Sequence, residues 1–141
     1  MKYWDTSAIL PLLVEERASN LVRRFFQDRA RIAVWWGTEL ECASALSRIE
    51  REASLPSEVL GSAFAHLHQL AASWVVIQPG EKLLETAIRL IRVHPLRAAD
   101  ALQLAAGIVA SGHRPKGFDF ICFDKRLAAA AQREGFNVLS G

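Results

Sequence analysis

Apolar residues along this chain follow two alternating patterns, short apolar runs and longer stretches with helical spacing. Runs rich in aromatic and β-branched residues predict strands, which we expect at 2–4, 31–36, 74–78, 118–123 and 137–139. Between the runs, apolar residues recur every three to four positions, which predicts helices. Strands that alternate with helices or helix pairs are typical of an α/β protein, in which helices cover both faces of a parallel sheet.

The helical spacing predicts helices over residues 8–16, 20–29, 38–52, 58–72, 81–93, 97–111 and 125–134. It also predicts which helix faces point inward. In the helix over 38–52 these are Leu40, Ala43, Leu46 and Ile49, and in the helix over 81–93 they are Leu84, Ile88 and Ile91.

The length of the chain, 141 residues, predicts a single domain spanning 1–141. Hydrophobic residues make up 51% of it, enough for a real core. We find no signal-peptide pattern and no apolar run near the roughly 20 residues of a membrane span. Cys42 and Cys122 are too distant for a zinc motif and suit a reducing compartment. We therefore expect a cytoplasmic protein without membrane contact.

The net charge is only +2, but 13 of the 17 basic residues are arginine. Arginine is well suited to phosphate contacts because its guanidinium group presents several donors in a planar fork. An arginine-rich solvated surface explains the same composition equally well. The charge balance alone therefore identifies no partner.

Four acidic residues occupy positions where strands end or helices begin. Asp5 and Asp124 follow the first and fourth predicted strands, while Glu41 and Asp100 lie in the first turns of helices. Ligands bind beyond the carboxyl ends of the strands in open parallel sheets. Four carboxylates that converge there repel one another unless they take up protons or a cation. Oxygen ligands without histidine or thiolate select Mg²⁺ or Mn²⁺.

Each acidic residue also has a purely structural interpretation. Thr38 and Glu41 have the spacing of a capping box, in which Glu41 bonds the backbone N–H of Thr38. Asp100 is favoured near a helix start by the helix dipole, and Asp124 can cap the helix that follows it. The residues alone leave these alternatives open.

Four segments taken together resemble the PIN-domain ribonucleases, and more narrowly the VapC-type toxins of toxin–antitoxin pairs. They are WDTSAIL at the start, ELECASALSR with Glu41, RAADALQLA with Asp100, and FDFICFDKRLAAAA with Asp124. The resemblance covers essentially the whole chain. It implies a three-layer α/β/α sandwich whose parallel sheet of four to five strands has the order 3-2-1-4-5. Strands one and four would then be neighbours.

Carried over to this chain, the resemblance implies an acidic pocket with four catalytic residues, Asp5, Glu41, Asp100 and Asp124. Asp5, Asp100 and Asp124 would hold Mg²⁺, with Mn²⁺ as the alternative, and Thr6 or Ser7 would support them. The implied activity is endonucleolytic cleavage of structured RNA such as tRNA or ribosomal RNA. The implied partners are a cognate antitoxin protein and a second copy of the chain.

Two other functions are compatible with the same residues. One is another metal-dependent phosphoryl-transfer enzyme, such as a phosphatase with Asp5 as nucleophile, although Ser7 stands where one phosphatase class has a second Asp. The other is a non-catalytic PIN module that binds RNA or a protein. Trp35, Trp36 and Arg48 are further candidates for RNA contact, with core packing or a solvated surface as the alternative.

Overall fold

The computed structural model describes residues 1–53 and 55–141, and within them five strands form one parallel sheet. The strands are β1 (Lys2–Trp4), β2 (Ile32–Trp35), β3 (Val75–Ile77), β4 (Asp119–Ile121) and β5 (Asn137–Leu139). Their order in the sheet is β3-β2-β1-β4-β5. The predicted α/β class and the predicted strand order are both confirmed, and β1 lies at the centre beside β4.

Seven helices flank the sheet in the described part of the chain, at positions close to those predicted. They are α1 (Thr6–Leu13), α2 (Ser19–Phe26), α3 (Thr38–Glu52), α4 (Ser57–Ala71), α5 (Glu81–Val93), α6 (Ala98–Ala110) and α7 (Lys125–Arg133). Among these residues no helix combines the length and the apolar character that crossing a bilayer requires.

Alternation along the strands divides the core into two halves, one on each face of the sheet. Tyr3 of β1 and Phe120 of β4 point to the face that is covered by α5, α6 and α7. Trp4 and Ile121, their chain neighbours, point to the face that is covered by α1, α2, α3 and α4. Because both faces are covered, the central strands are apolar on both sides, except for Lys2 and Asp119 at the first positions of β1 and β4.

The predicted inward face of α5 is wrong. Leu84, Ile88 and Ile91 are exposed, and the parallel row Leu83, Ala87 and Leu90 is buried in their place. The helix carries two adjacent apolar rows, so periodicity alone could not choose between them. The buried row includes the small Ala87, which lies in the same core cluster as the alanine-rich α6. In α3 the prediction was partly wrong, because Leu46 is buried but Leu40 is 73% exposed.

Gly107 lets α6 approach β4 closely, and we expect Gly107→Ala to destabilise the protein. A Cβ atom there would lie 2.7 Å from Cε2 of Phe120, whose ring stacks on Tyr3. The overpacking should cost about 1–3 kcal/mol, more than the roughly 1 kcal/mol that alanine gains over glycine in a helix. Gly61→Ala in α4 is the matched control, because among the described residues nothing lies within 4 Å of its new Cβ. Chemical denaturation should show a lower unfolding free energy for Gly107→Ala and an equal or higher one for Gly61→Ala.

Candidate functional site

The neighbouring strands β1 and β4 bring Asp5 and Asp124 to the same edge of the sheet. Trp4 is paired with Ile121 in the register of the two strands, and the backbone N–H of Asp5 donates to the carbonyl of Ile121 at 3.0 Å. Asp5 follows β1 directly, and Asp124 follows β4 after two further residues. The edge is therefore the carboxyl edge of the sheet, as the sequence predicted.

Asp5 is held in a fixed orientation by Ser7. As the N-cap of α1, the Asp5 carboxylate accepts from the backbone N–H of Ser7 at 3.1 Å and from the Ser7 hydroxyl at 2.5 Å. The Ser7 hydroxyl in turn accepts from the backbone N–H of Phe123 at 2.9 Å. Ser7 therefore connects the Asp5 carboxylate to the segment that leads from β4 to Asp124.

Burial raises the pKa of Asp5 from 3.8 to about 6. The side chain is almost entirely removed from solvent, with 5% of the residue exposed. The hydrogen bonds from Ser7 lower the pKa, and the negative charge of Glu41 raises it further. The negative charge of Glu41 therefore acts on Asp5, and a cation bound near Asp5 would favour its ionised form.

Glu41 points toward this edge and does not cap its helix. The N-cap of α3 is Gly37, and no side chain of the described residues caps it. The carboxylate Oε2 of Glu41 accepts from the Thr6 hydroxyl at 2.9 Å and from the Gln103 amide at 3.2 Å. Thr38 is fully buried, and its hydroxyl accepts from the same amide at 3.3 Å. The capping-box interpretation of Thr38 and Glu41 is therefore wrong.

Asp100 and Asp124 form a second acidic pair. Burial raises the pKa of Asp100, and the nearby charge of Asp124 raises it further against the opposing effects of Arg97 and Arg126. Asp124 is the N-cap of α7, where its Oδ1 accepts from the backbone N–H of Leu127 at 2.8 Å. The capping interpretation of Asp124 is thus correct, and the capping residue also lines the same cleft as Asp100.

Three of the four acidic residues line two adjoining clefts, and Asp5 is buried behind them. A cleft of about 660 Å³ contains Asp100 and Asp124, and a cleft of about 480 Å³ contains Thr6 and Glu41. Ala99 lines both clefts, so they meet along the start of α6. Across residues 1–53 and 55–141, no three Asp, Glu, His or Cys side chains are arranged to hold one metal ion. The four predicted residues are therefore gathered as two pairs and not as one closed ligand set.

The donor chemistry around these clefts is that of a hard cation. Cys122 is the nearest sulfur, with its Sγ 3.6 Å from the Asp5 carboxylate and 3.4 Å from the Asp124 carbonyl. Burial and the charge of Asp5 raise the pKa of the Cys122 thiol far above its usual range, so it stays protonated and is a poor ligand. The remaining donors are carboxylate and hydroxyl oxygens. These residues fit Mg²⁺ or Mn²⁺ and do not fit Zn²⁺.

Sequence reasoning missed Gln103, although it lies inside the segment that carries Asp100. It is 1% exposed, and the other buried residues of α6 are apolar. An isolated amide in an alanine- and leucine-rich helix, three residues after Asp100, was the available signal. Of the other candidates, Trp35 is buried in the core, Trp36 is exposed, and Arg48 lines the cleft of Glu41.

Comparison with known proteins confirms the resemblance that the four sequence segments indicated. The chain is 28% identical to ribonucleases VapC45 and VapC49 of Mycobacterium tuberculosis, over 96% of this chain and 92% of each relative. No family model matches the chain. Its fold is similar to that of PAE2754 from Pyrobaculum aerophilum, with a TM-score of 0.67 and 20% identity over 99% of this chain and 89% of that one. It is also similar to a chain of a toxin–antitoxin complex from Klebsiella pneumoniae, with a TM-score of 0.63 and 16% identity over 91% of both chains.

Proposed function

We propose that this protein is a Mg²⁺-dependent endoribonuclease and the toxin of a toxin–antitoxin pair. The observation that carries the proposal is the gathering of four carboxylates at the carboxyl edge of the sheet, where Glu41, Asp100 and Asp124 line adjoining clefts and Asp5 lies buried within the electrostatic reach of Glu41. The likeness to the two ribonucleases of Mycobacterium tuberculosis, which extends over nearly the whole chain, supports the same activity. Structured RNA such as tRNA or ribosomal RNA is the proposed substrate.

In this proposal Asp5, Asp100 and Asp124 hold one or two Mg²⁺ ions, with Mn²⁺ as the alternative. The ion would neutralise charge on the phosphate oxygens and lower the pKa of a bound water. Ser7 keeps the Asp5 carboxylate in a single orientation through its two hydrogen bonds. Glu41, whose carboxylate is anchored by Thr6, would orient the attacking water or accept its proton.

Cationic side chains beside the carboxylates supply contacts for an RNA backbone. The cleft of Asp100 and Asp124 is also lined by Arg97, Lys125 and Arg126. Arg48 lines the cleft that contains Glu41. Arginine and lysine at these places would bind phosphates on either side of the scissile bond, and the acidic residues would then face the bond itself.

An antitoxin and a second copy of the chain are the proposed protein partners. The likeness to a chain of the Klebsiella pneumoniae toxin–antitoxin complex supports the first. The exposed apolar row of α5, formed by Leu84, Ile88 and Ile91, supports the second because an exposed apolar row favours association. A cytoplasmic location fits an enzyme that acts on cellular RNA.

The cation dependence of RNA cleavage tests the proposed function. We expect the purified protein to cleave a mixture of tRNA and ribosomal RNA with Mg²⁺ or Mn²⁺ and to stop when EDTA is added. Excess Mg²⁺ should restore cleavage, and Zn²⁺ should not be required because the clefts offer oxygen donors only. Gel analysis of the products measures each rate.

Three results would contradict the proposal and separate the alternatives. Cleavage that persists in EDTA would indicate a metal-free ribonuclease. Hydrolysis of a phosphomonoester without cleavage of RNA would indicate a phosphatase. RNA binding without hydrolysis in any of these metals would indicate a non-catalytic module.

A further inference from the structure

Gln103 is the residue at which four separate elements meet. Its amide oxygen Oε1 accepts from the Tyr3 hydroxyl of β1 at 2.5 Å. Its amide nitrogen Nε2 donates to the Thr6 hydroxyl of α1 at 3.0 Å, to the Thr38 hydroxyl of α3 at 3.3 Å and to the Glu41 carboxylate at 3.2 Å. One buried side chain on α6 therefore connects the central strand to α1 and α3, the other two helices that line the Glu41 cleft.

The orientation of this amide is determined by its neighbours. Burial raises the pKa of Tyr3 well above its usual value, so the hydroxyl is protonated and donates to Oε1. On the other side lies the Glu41 carboxylate, which only accepts hydrogen bonds when ionised. A flipped amide would place Oε1 against that carboxylate. The NH₂ group must therefore face Glu41, and its two hydrogens serve three acceptors.

The contacts of Gln103 and Thr6 form a closed ring around the Glu41 carboxylate. Gln103 donates both to the Thr6 hydroxyl and to Oε2 of Glu41, and the Thr6 hydroxyl donates to the same Oε2. This ring holds Glu41 in place against the like charge of Asp5, whose pKa the negative charge of Glu41 raises. Without the amide, Glu41 would lose one of its two donors and gain freedom to turn toward solvent.

We propose that Gln103 is a positioning residue, whose amide NH₂ holds the Glu41 carboxylate beside Asp5 in the geometry that the reaction needs. The inference rests on the proposed ribonuclease function and adds a residue to it. Gln103 also lies three residues after Asp100, on the same side of α6. α6 therefore carries Asp100, which lines one cleft, and through Gln103 it positions Glu41, which lines the adjoining cleft.

The test uses Gln103→Met, which keeps the volume and removes all four hydrogen bonds. For the variant and the wild type, the rate of cleavage is measured at saturating Mg²⁺ on an RNA that the wild type cleaves. The affinity of each protein for Mn²⁺ is measured by calorimetry. We expect kcat to fall by about tenfold or more, since a misplaced group costs rate even when substrate still binds. The KM for RNA should stay within about twofold, because Gln103 is buried and does not contact substrate. Mn²⁺ affinity should stay within about twofold as well, because Gln103 makes no hydrogen bond to the proposed ligands Asp5, Asp100 and Asp124.

Two further variants distinguish positioning from general support of the fold. Thr38→Ala removes another acceptor of the same amide and leaves the bond from Gln103 to Glu41 in place. It should lower the melting temperature and keep most of the turnover. The double variant Gln103→Met with Tyr3→Phe removes the orphaned hydroxyl of Tyr3, which should recover stability but not kcat.

Turnover that falls in proportion to stability across all three variants would overturn the proposal, as would wild-type kcat in Gln103→Met. Recovery of kcat by the double variant would overturn it too. If the wild type cleaves no RNA, the proposed function fails, and a crystal structure of Gln103→Met decides the positioning role by itself. A Glu41 carboxylate turned away from Thr6 supports that role, and one that is unmoved contradicts it.

Discussion

The Asp5→Asn protein is expected to fold normally and to show no RNA cleavage. Asparagine keeps the shape of the side chain and can still accept from Ser7, but it lacks the charge that binds a divalent cation. Asp5 is the most buried of the four acidic residues, so water cannot easily replace the lost carboxylate oxygen as a ligand of the cation. Cleavage rates over a Mg²⁺ titration measure the effect. Normal cleavage without a higher Mg²⁺ requirement would remove Asp5 from the site.

The same substitution should stabilise the protein at neutral pH in a buffer that contains a chelator. Because the pKa of Asp5 is raised from 3.8 to about 6, the folded state binds the proton more tightly than the unfolded state. The contribution of Asp5 to stability is therefore greatest below pH 4 and is lost as the pH rises through about 6. Asparagine removes this loss, which amounts to about 3 kcal/mol at most. Denaturation curves should coincide below pH 4, and the variant should be more stable at pH 8.

The second large effect is expected for Glu41→Gln, which should cut turnover by orders of magnitude while the melting temperature stays nearly unchanged. Glutamine keeps an oxygen that can accept from Thr6 and Gln103, so the contacts that hold the side chain survive. What is lost is the negative charge and the capacity to accept a proton from water. Turnover of a cleavable RNA across a Mg²⁺ titration, together with a thermal melt, measures both effects.

Thr38→Ala is the control for this variant, because Thr38 is buried and its hydroxyl is bonded to Gln103, while the Glu41 carboxylate takes its two hydrogen bonds from Thr6 and Gln103. It should lower stability and keep most of the activity. Wild-type rates and metal dependence in Glu41→Gln would instead leave a site of three carboxylates, with Glu41 as an anchor for Thr6 only.

Much of the fold was predictable from the sequence because the sheet is buried on both faces. The strands β1, β2 and β4 are short, and after the first residues Lys2 of β1 and Asp119 of β4 they are apolar on both faces, which separates them from the helical periodicity around them. Strand order could not be derived from these patterns, since any order buries the same residues. The strand order was predicted from the resemblance of four segments, taken in their order along the chain, to the PIN-domain ribonucleases. The face of α5 was mispredicted because Leu84 and its neighbour Leu83 belong to two equally apolar rows.

The candidate site was predictable only in part. Asp5 and Asp124 were found because the ends of parallel strands share one edge of a sheet. The role of Glu41 was ambiguous, since the spacing from Thr38 to Glu41 suits a cap, and only the hydrogen bonds from Thr6 and Gln103 remove the ambiguity. Gln103 was missed because its four contacts come from residues 62 to 100 positions away in the chain. No local pattern encodes such contacts.

The rate of RNA cleavage as a function of Mg²⁺ concentration, with wild type and Asp5→Asn in parallel, tests most directly whether the gathered carboxylates form a cation-dependent nuclease site. We predict a saturable rise in rate for the wild type, starting from no cleavage in EDTA, and no cleavage by the variant at any Mg²⁺ concentration. A wild-type rate that does not depend on Mg²⁺, or equal rates for the two proteins, would contradict the account.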